Sequence, residues 1–380
     1  MNAPETPKGS APYLADRIAD SGSQIDHSWR AAVESVPREV FLGDDVYRMD
    51  GARWEPVHRA EVGEEEWRRL AHRDITWVTQ VEGVDAADAP GPLGGRPTSS
   101  ATLPSLVVRT LEVAGIREGD RVLEVGTGTG YSTAILCHRL GEENVTSVEY
   151  DTGVAARAAA HLRTVGYAPT LVTGDGLQGH SDGAEYDALL ATCSVRHIPR
   201  AWLWQVRAGG TITTALNGWM MASGLIRLTL DDTGVATGRF AGDRISYMLA
   251  RPHERPPRPT FHRLPGDART SRVDPGLFDD WTGHFVAQLA APSAEFWTSG
   301  TDVVLSDVAT GSQAWTEAAA NGWMVHQSGP LRLWDQVETA LLSWQAADAP
   351  EQTAFGMTVT DQTQTVWLED PDGPSWRLPV

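Results

Sequence analysis

The sequence predicts an α/β fold: a parallel sheet with helical crossovers, closed by antiparallel strands and followed by a smaller α+β domain. Three observations predict it. From Leu103 to Ala215, short apolar runs alternate with helix-length segments, the pattern of βαβ units with right-handed crossovers. A glycine loop, Gly126-Thr127-Gly128-Thr129-Gly130, joins one such run to a helix. After Arg255-Pro-Pro-Arg-Pro-Thr260 the alternation stops and tryptophans become frequent.

Residues 1–20 hold no apolar stretch and read as a disordered tail. Helical spacing of Ile25, Trp29, Val33, Val36 and Val40 predicts a helix from Gln24 to Leu42. Asp44 to Arg96 reads as mixed and loop-rich. Helices are expected over Leu103–Val113, Tyr131–Leu140 and Val154–Val165, and another opening at Pro199 and ending at Gly209-Gly210. Strands are expected over Arg121–Val125, Asn144–Glu149, Thr170–Thr173, Tyr186–Thr192 and Thr211–Ala215. Leu225–Leu230 and Ile245–Ala250 read as closing antiparallel strands. Residues 21–251 would then form one domain, 252–260 a stiff linker and 261–380 a second domain of ordinary size.

The 380 residues carry a formal charge of −19. Such acidity repels a phosphate backbone and argues against nucleic acid as partner. No run approaches the roughly 20 apolar residues of a membrane span, and no signal peptide is evident, so a cytoplasmic protein is expected. The two cysteines, Cys137 and Cys193, lie in apolar segments and read as reduced. No metal-ligand spacing is found.

Chemistry concentrates around the glycine loop. Gly126, Gly128 and Gly130, with Thr127 between them and Tyr131 after, follow a strand and open a helix. The backbone there must turn sharply and approach a ligand. Glu124 precedes the loop. An acid at the loop's mouth would repel a pyrophosphate and suits the ammonium of a methionine moiety, which favours S-adenosylmethionine over NAD. Glu149 ends the next strand at the spacing of a ribose-binding acid. Asp175-Gly176 ends the third strand, where an Asp can accept from an adenine amino group. The plain alternatives are a solvated strand-end Glu and an ordinary Asp-Gly turn.

These segments, in this order, resemble the protein-L-isoaspartate O-methyltransferases. The resemblance rests on Val36-Pro37-Arg38 with Phe41, Ser100-Ala-Thr-Leu-Pro104, Val122-Leu-Glu-Val-Gly-Thr-Gly-Thr-Gly-Tyr131, Val145-Thr-Ser-Val-Glu149, Gly174-Asp-Gly176, Tyr186–Thr192 and Ile198-Pro199, and covers about residues 24–250. It implies a Rossmann-like class I methyltransferase with S-adenosylmethionine as cofactor and S-adenosylhomocysteine as product. Tyr150 and Thr192 join the implied cofactor set. In the family's T-I-S-Q-P-like segment the Ser faces the reacting carboxylate. Thr102 aligns there, with Ser100 and Ser99 as possible helpers, and a helix-capping hydroxyl is the plain alternative for Thr102.

Three departures stand out: Thr102 itself, a longer loop from Val78-Thr-Gln80 to Pro97-Thr98, and the region after the linker, residues 261–380, expected to recognise substrate. They resemble a divergent branch associated with ribosomal-peptide biosynthesis (graspetides, lanthipeptides), which methylates an Asp of a macrocyclic precursor peptide beside a cyclising enzyme. The ester then closes to an aspartimide. General isoaspartate repair is the nearest alternative, and an inactive peptide-binding module the second. Arg196, His197 and Arg200 form a local basic group in an acidic chain, a candidate contact for an acidic peptide.

Overall fold

The computed structural model describes residues 14–16, 18, 26–257 and 261–379. Most of the expected tail, Gln24, Ile25 and the end of the proline-rich linker lie outside them. The described part of the tail corrects the expectation: Leu14, Ala15 and Ile18 are buried in the core beside Trp29, Val33 and Leu111. The chain divides into two compact units, Met1–Thr192 with Gln205–Gly210, and Cys193–Trp204 with Thr211–Val380.

In the first unit the expected opening helix is two helices, α1 (His27–Ser35) and α2 (Arg38–Leu42). Pro37 separates them because the residue before proline is driven from helical geometry, and Val36 is extended at φ −94°, ψ 110°. The stretch expected to be loop-rich is largely ordered: β1 (Asp45–Asp50), β2 (Arg53–His58), α3 (Arg59–Val62), α4 (Glu64–Ala71), β3 (Trp77–Val81), β4 (Val84–Asp85) and β5 (Pro97–Ala101). The strands form an antiparallel sheet ordered β2-β1-β3-β4, with β5 also pairing β3. Its apolar side chains, among them Val46, Val57 and Trp77, are spread through charged segments and gather only in space.

The alternating region follows the sequence more closely: α5 (Pro104–Ala114), β6 (Val122–Val125), α6 (Tyr131–Leu140), β7 (Val145–Glu149), α7 (Thr152–Thr164), β8 (Thr170–Thr173) and β9 (Tyr186–Val195). Strands β9, β6, β7 and β8 lie side by side in that order, all parallel. The register aligns the carboxyl ends of β6, β7 and β8, with Val125 opposite Val148 and Glu149 opposite Thr173. Open parallel sheets bind ligands outside such ends.

In the second unit the helix expected from Pro199 is one turn, α8 (Arg200–Leu203). Gly209-Gly210, read as its stop, lie inside β10 (Val206–Leu216). β10 pairs antiparallel with β11 (Gly224–Leu230), and β11 with β12 (Ala236–Phe240). The strand expected over 245–250 is only an isolated bridge, Leu249 to Ser194. Next come β13 (Asp267–Thr270), α9 (Trp281–Ala290), β14 (Ala294–Ser299), β15 (Asp302–Asp307), β16 (Gln313–Ala319), β17 (Gly322–Ser328) and α10 (Leu333–Ala346). These strands form an antiparallel sheet ordered β13-β17-β16-β15-β14.

The chain end corrects the expected boundary at residue 261. β18 (Phe355–Val359) pairs with β12, β19 (Gln364–Leu368) with β18, and β20 (Ser375–Arg377) with β19. The last strands thus extend the β10–β12 sheet. Gln364 locks the arrangement, taking Ile198 N–H at 2.8 Å and donating to Ile198 O at 2.6 Å. Trp334, Trp344 and Trp367 are core residues.

Candidate active site

Glu124 lies level with Ser147 of β7 and Leu190 of β9. Its carboxylate is fully buried, with Oε2 accepting from Thr133 at 2.5 Å and Ser147 at 2.7 Å. Ser147 also meets the Thr127 hydroxyl at 2.7 Å. Glu124 therefore braces the glycine loop from beneath and does not stand at its mouth, correcting the expectation. Burial pushes its carboxyl up while the hydroxyls of Ser132, Thr133 and Ser147 pull it back. Its Oε1 has no hydrogen-bond partner among the described residues.

The loop has left-handed or neighbouring geometry at Gly126, Gly128 and Gly130, with φ of 99°, 56° and 92°, which only glycine adopts freely. Glu149 clamps it, Oε2 taking Gly128 N–H at 2.8 Å and Oε1 taking Asp151 N–H at 3.0 Å. Tyr150 N–H adds a further backbone bond, and a carboxylate with about four acceptor positions still has room for a ligand. The Thr192 hydroxyl donates to Gly126 O at 2.5 Å. Asp175 Oδ1 accepts Leu177 N–H at 3.0 Å. A Cβ on Gly176 would stand 2.4 Å from Val125 Cγ1, so the turn after β8 reaches the end of β6 only with glycine there. Tyr150 is 54% exposed. Tyr131, expected on the cofactor, is buried instead, its ring 5.8 Å from that of Phe41. It opens α6 from the core side.

Ser99 is buried and Ser100 half-buried, opposite Gln80 and Val78 of β3. The Ser100 carbonyl comes within 3.6 Å of where a Cβ on Gly128 would stand, bringing the end of β5 against the glycine loop. Thr102 is half-buried and does not cap α5. The N-cap position is Leu103, and Thr76 and Asp74 accept from Leu103 N–H and Ser105 N–H at 3.1 and 2.9 Å.

Sequence reasoning left Arg38 without a role. Its buried guanidinium donates to the carbonyls of Ala71 and Arg73 at 2.7 Å, Ile75 at 2.8 Å, Thr102 at 3.2 Å and Ala101 at 3.4 Å. Burial lowers it to about 10, still charged at neutral pH. It gathers the end of α4 and the Ala101–Thr102 turn around one cation. The available signal was an arginine directly after Val36-Pro37 in an apolar helix.

In the second unit, Arg196, His197 and Arg200 do not form one basic patch. Arg196 lies 3.5 Å over the Trp219 ring and donates to Pro292 O at 3.0 Å. His197 packs against His253, whose Nδ1 accepts Arg196 N–H at 3.1 Å, and burial pushes His253 down to about 3. Arg200 alone is exposed. No group of His, Cys, Asp and Glu among the described residues could hold a metal.

With this geometry the comparisons converge. The family model Protein-L-isoaspartate(D-aspartate) O-methyltransferase (PCMT) matches residues 75–222. A Protein-L-isoaspartate O-methyltransferase of Ignicoccus hospitalis is 35% identical over 156 residues, 40% of this chain and 72% of that protein. Protein-L-isoaspartate O-methyltransferase 1 of Archaeoglobus fulgidus is 39% identical over 199 residues, 52% of this chain and 74% of its own length. This chain belongs to the protein-L-isoaspartate O-methyltransferase family. It is a carboxyl O-methyltransferase with S-adenosylmethionine as cofactor, acting on a protein or peptide. A solved structure titled protein-L-isoaspartate O-methyltransferase superposes with a TM-score of 0.53 at 18% identity, covering 91% of this chain and 95% of that one. The fold, a class I methyltransferase domain with a β-rich region after it, is thus shared beyond the residues matched in sequence. No helix among the described residues is long and apolar enough to cross a membrane. The residues fit the cofactor: the left-handed glycines keep the loop free of side chains, and the Glu149 carboxylate that ends β7 retains acceptor capacity beside its backbone bonds.

Proposed function

We propose that this chain methylates the side-chain carboxylate of an L-Asp in a constrained, macrocyclic ribosomal peptide, the ester then closing to an aspartimide. The observation that carries the reading is the hydroxyl-bearing turn Ser99–Thr102, held against the glycine loop with Thr102 free of a capping role. The lengthened arm from β3 to β5, ordered rather than open, supports a shaped substrate. A cyclising enzyme would supply that substrate.

The cofactor supplies a methyl group on a positively charged sulfur. Glu149 and Asp175 would hold its ribose and adenine, Tyr150 follows Glu149 in the chain, and Gly126–Gly130 let the backbone approach. Glu124 and Thr192 would set the loop's shape from below. An aspartate is already ionised at neutral pH, so no strong base is required. The protein's task is to aim one carboxylate oxygen and exclude water, for which Thr102 would donate a hydrogen bond, with Ser100 and Ser99 adjoining. Closure needs only a neighbouring backbone N–H, which attacks the ester carbonyl as methanol leaves.

General isoaspartate repair is the second reading, favoured by the names of the relatives. The region after the linker weighs less against it than the sequence suggested, because a solved structure bearing the repair enzyme's title spans nearly the whole chain. Loss of catalysis is disfavoured by the intact glycines, Glu149 and Asp175.

Glu149→Ala is expected to weaken S-adenosylhomocysteine binding by about 1–3 kcal/mol, the cost of hydrogen bonds to a charged acceptor. Unchanged affinity in isothermal titration removes Glu149 from the site. Thr102→Ala is expected to lower kcat about tenfold to a hundredfold with cofactor affinity unchanged, as loss of an aiming hydroxyl requires. A variant with full turnover assigns the aiming elsewhere.

A further inference from the structure

The arm before the reactive turn is fastened to the helix that follows Glu149. Arg157, in the second turn of α7, donates to Asp85 Oδ1 at 2.6 Å. Asp85 also accepts from Gln80 Nε2 at 3.1 Å, and Gln80 Oε1 accepts from the Thr98 hydroxyl at 2.8 Å. Thr98 Oγ1 in turn takes Gly83 N–H at 3.1 Å, one residue before Ser99. Tyr47 meets the carbonyls of Val84 and Asp85 at 3.3 Å each, holding the backbone that presents the carboxylate.

These contacts, with the close approach of the Ser100 carbonyl to Gly128, trace a circuit. It runs from Thr98 through Gln80 and Asp85 to Arg157, back along α7 to Asp151, to Glu149, to Gly128, and across to Ser100. Every member lies in the first unit. The segment carrying Ser99, Ser100 and Thr102 thereby lies against the glycine loop at one end and is tied at the other to the helix that follows Glu149. The Asp85–Arg157 pair is the link most open to water, with side chains 22% and 44% exposed.

We propose that Asp85 and Arg157 are positioning residues: their ion pair latches the β3–β5 arm to α7 and so holds the reactive turn in register with the cofactor edge. The proposal rests on the assignment of Glu149 to the cofactor but not on which peptide is esterified. The pair touches neither reactant. It restricts where the turn can sit, and misplacement of reacting groups by about an ångström is enough to cost rate.

The test uses the full chain as wild type, Arg157→Ala, Asp85→Ala, the double variant and Arg157→Lys. Amide hydrogen exchange over residues 82–102 is expected to speed up about threefold to tenfold in either alanine variant, the effect of losing one local tie. The double variant should be no faster than the singles. With whichever of the two peptide types wild type esterifies, kcat should fall about threefold to tenfold with KM nearly constant, and Arg157→Lys should recover most of it at low salt but less at high salt, where exposed charges are screened. Additive effects in the double variant, or exchange and kcat equal to wild type, overturn the latch. The failure of the underlying assignment reads differently: wild type would bind S-adenosylhomocysteine no better than Glu149→Ala does, whatever the arm variants do.

Discussion

Replacing Arg38 with alanine is expected to destabilise the fold more than any other single substitution considered for this chain. The guanidinium serves five carbonyls, from Ala71, Arg73, Ile75, Ala101 and Thr102, and is itself buried. Removing it leaves acceptors that water reaches poorly, each costing about 1–3 kcal/mol when unsatisfied. Relaxation recovers part of that, so a loss of about 4 kcal/mol is expected, large against a typical domain stability of about 5–15 kcal/mol. Arg38→Lys should recover only a fraction, because a compact ammonium cannot fan out to carbonyls on two segments. Urea denaturation of the three proteins measures this directly. A midpoint for the alanine variant within error of wild type would mean that the carbonyls find other donors, and that the Ala101–Thr102 turn is held by its capping contacts alone.

The second large effect concerns the substrate. A macrocyclic peptide with an ordinary L-Asp is expected to be esterified with kcat/KM at least about a hundredfold above that of a linear isoaspartyl peptide, about 2.7 kcal/mol in the barrier. A repair enzyme must accept any exposed isoaspartate and makes few remote contacts. An enzyme with an ordered arm beside its reactive turn can use distant contacts to place one carboxylate. Mass spectrometry should find one methyl gained and then methanol lost, leaving the peptide lighter by one water. Rapid turnover of linear isoaspartyl peptides, with no ester on any L-Asp of the macrocycle, assigns the chain to repair. The carboxyl methyltransferase identity would stand in either case.

The place of the proposed site in the fold could be read without coordinates, and the reason is local. A glycine loop after a strand, an acid ending the next strand and an Asp-Gly after the third all fall within short sequence windows. Their positions at the carboxyl ends of β6, β7 and β8 follow from βα spacing that the chain imposes by itself. The same locality failed for Glu124 and Tyr131. Sequence order placed both beside the loop, while only packing revealed that each side chain turns inward, to the hydroxyls of Thr133 and Ser147 in one case and to Phe41 in the other. Arg196 failed likewise: a basic cluster in sequence became a stack on Trp219 and a bond to Pro292.

What the sequence determined by itself is the parallel βα core, its glycine loop, Glu149 and Asp175, because strand and helix periodicity and glycine chemistry are properties of neighbouring residues. What only the tertiary structure decided is how distant segments meet. Arg38 reaches acceptors 33 to 64 residues away, Arg157 finds Asp85 72 residues earlier, and β18 completes a sheet begun more than a hundred residues before it. Each of these pairings joins a charge or a sheet edge to a partner that the fold brings near. Nothing in the local chain says which distant residue will provide it.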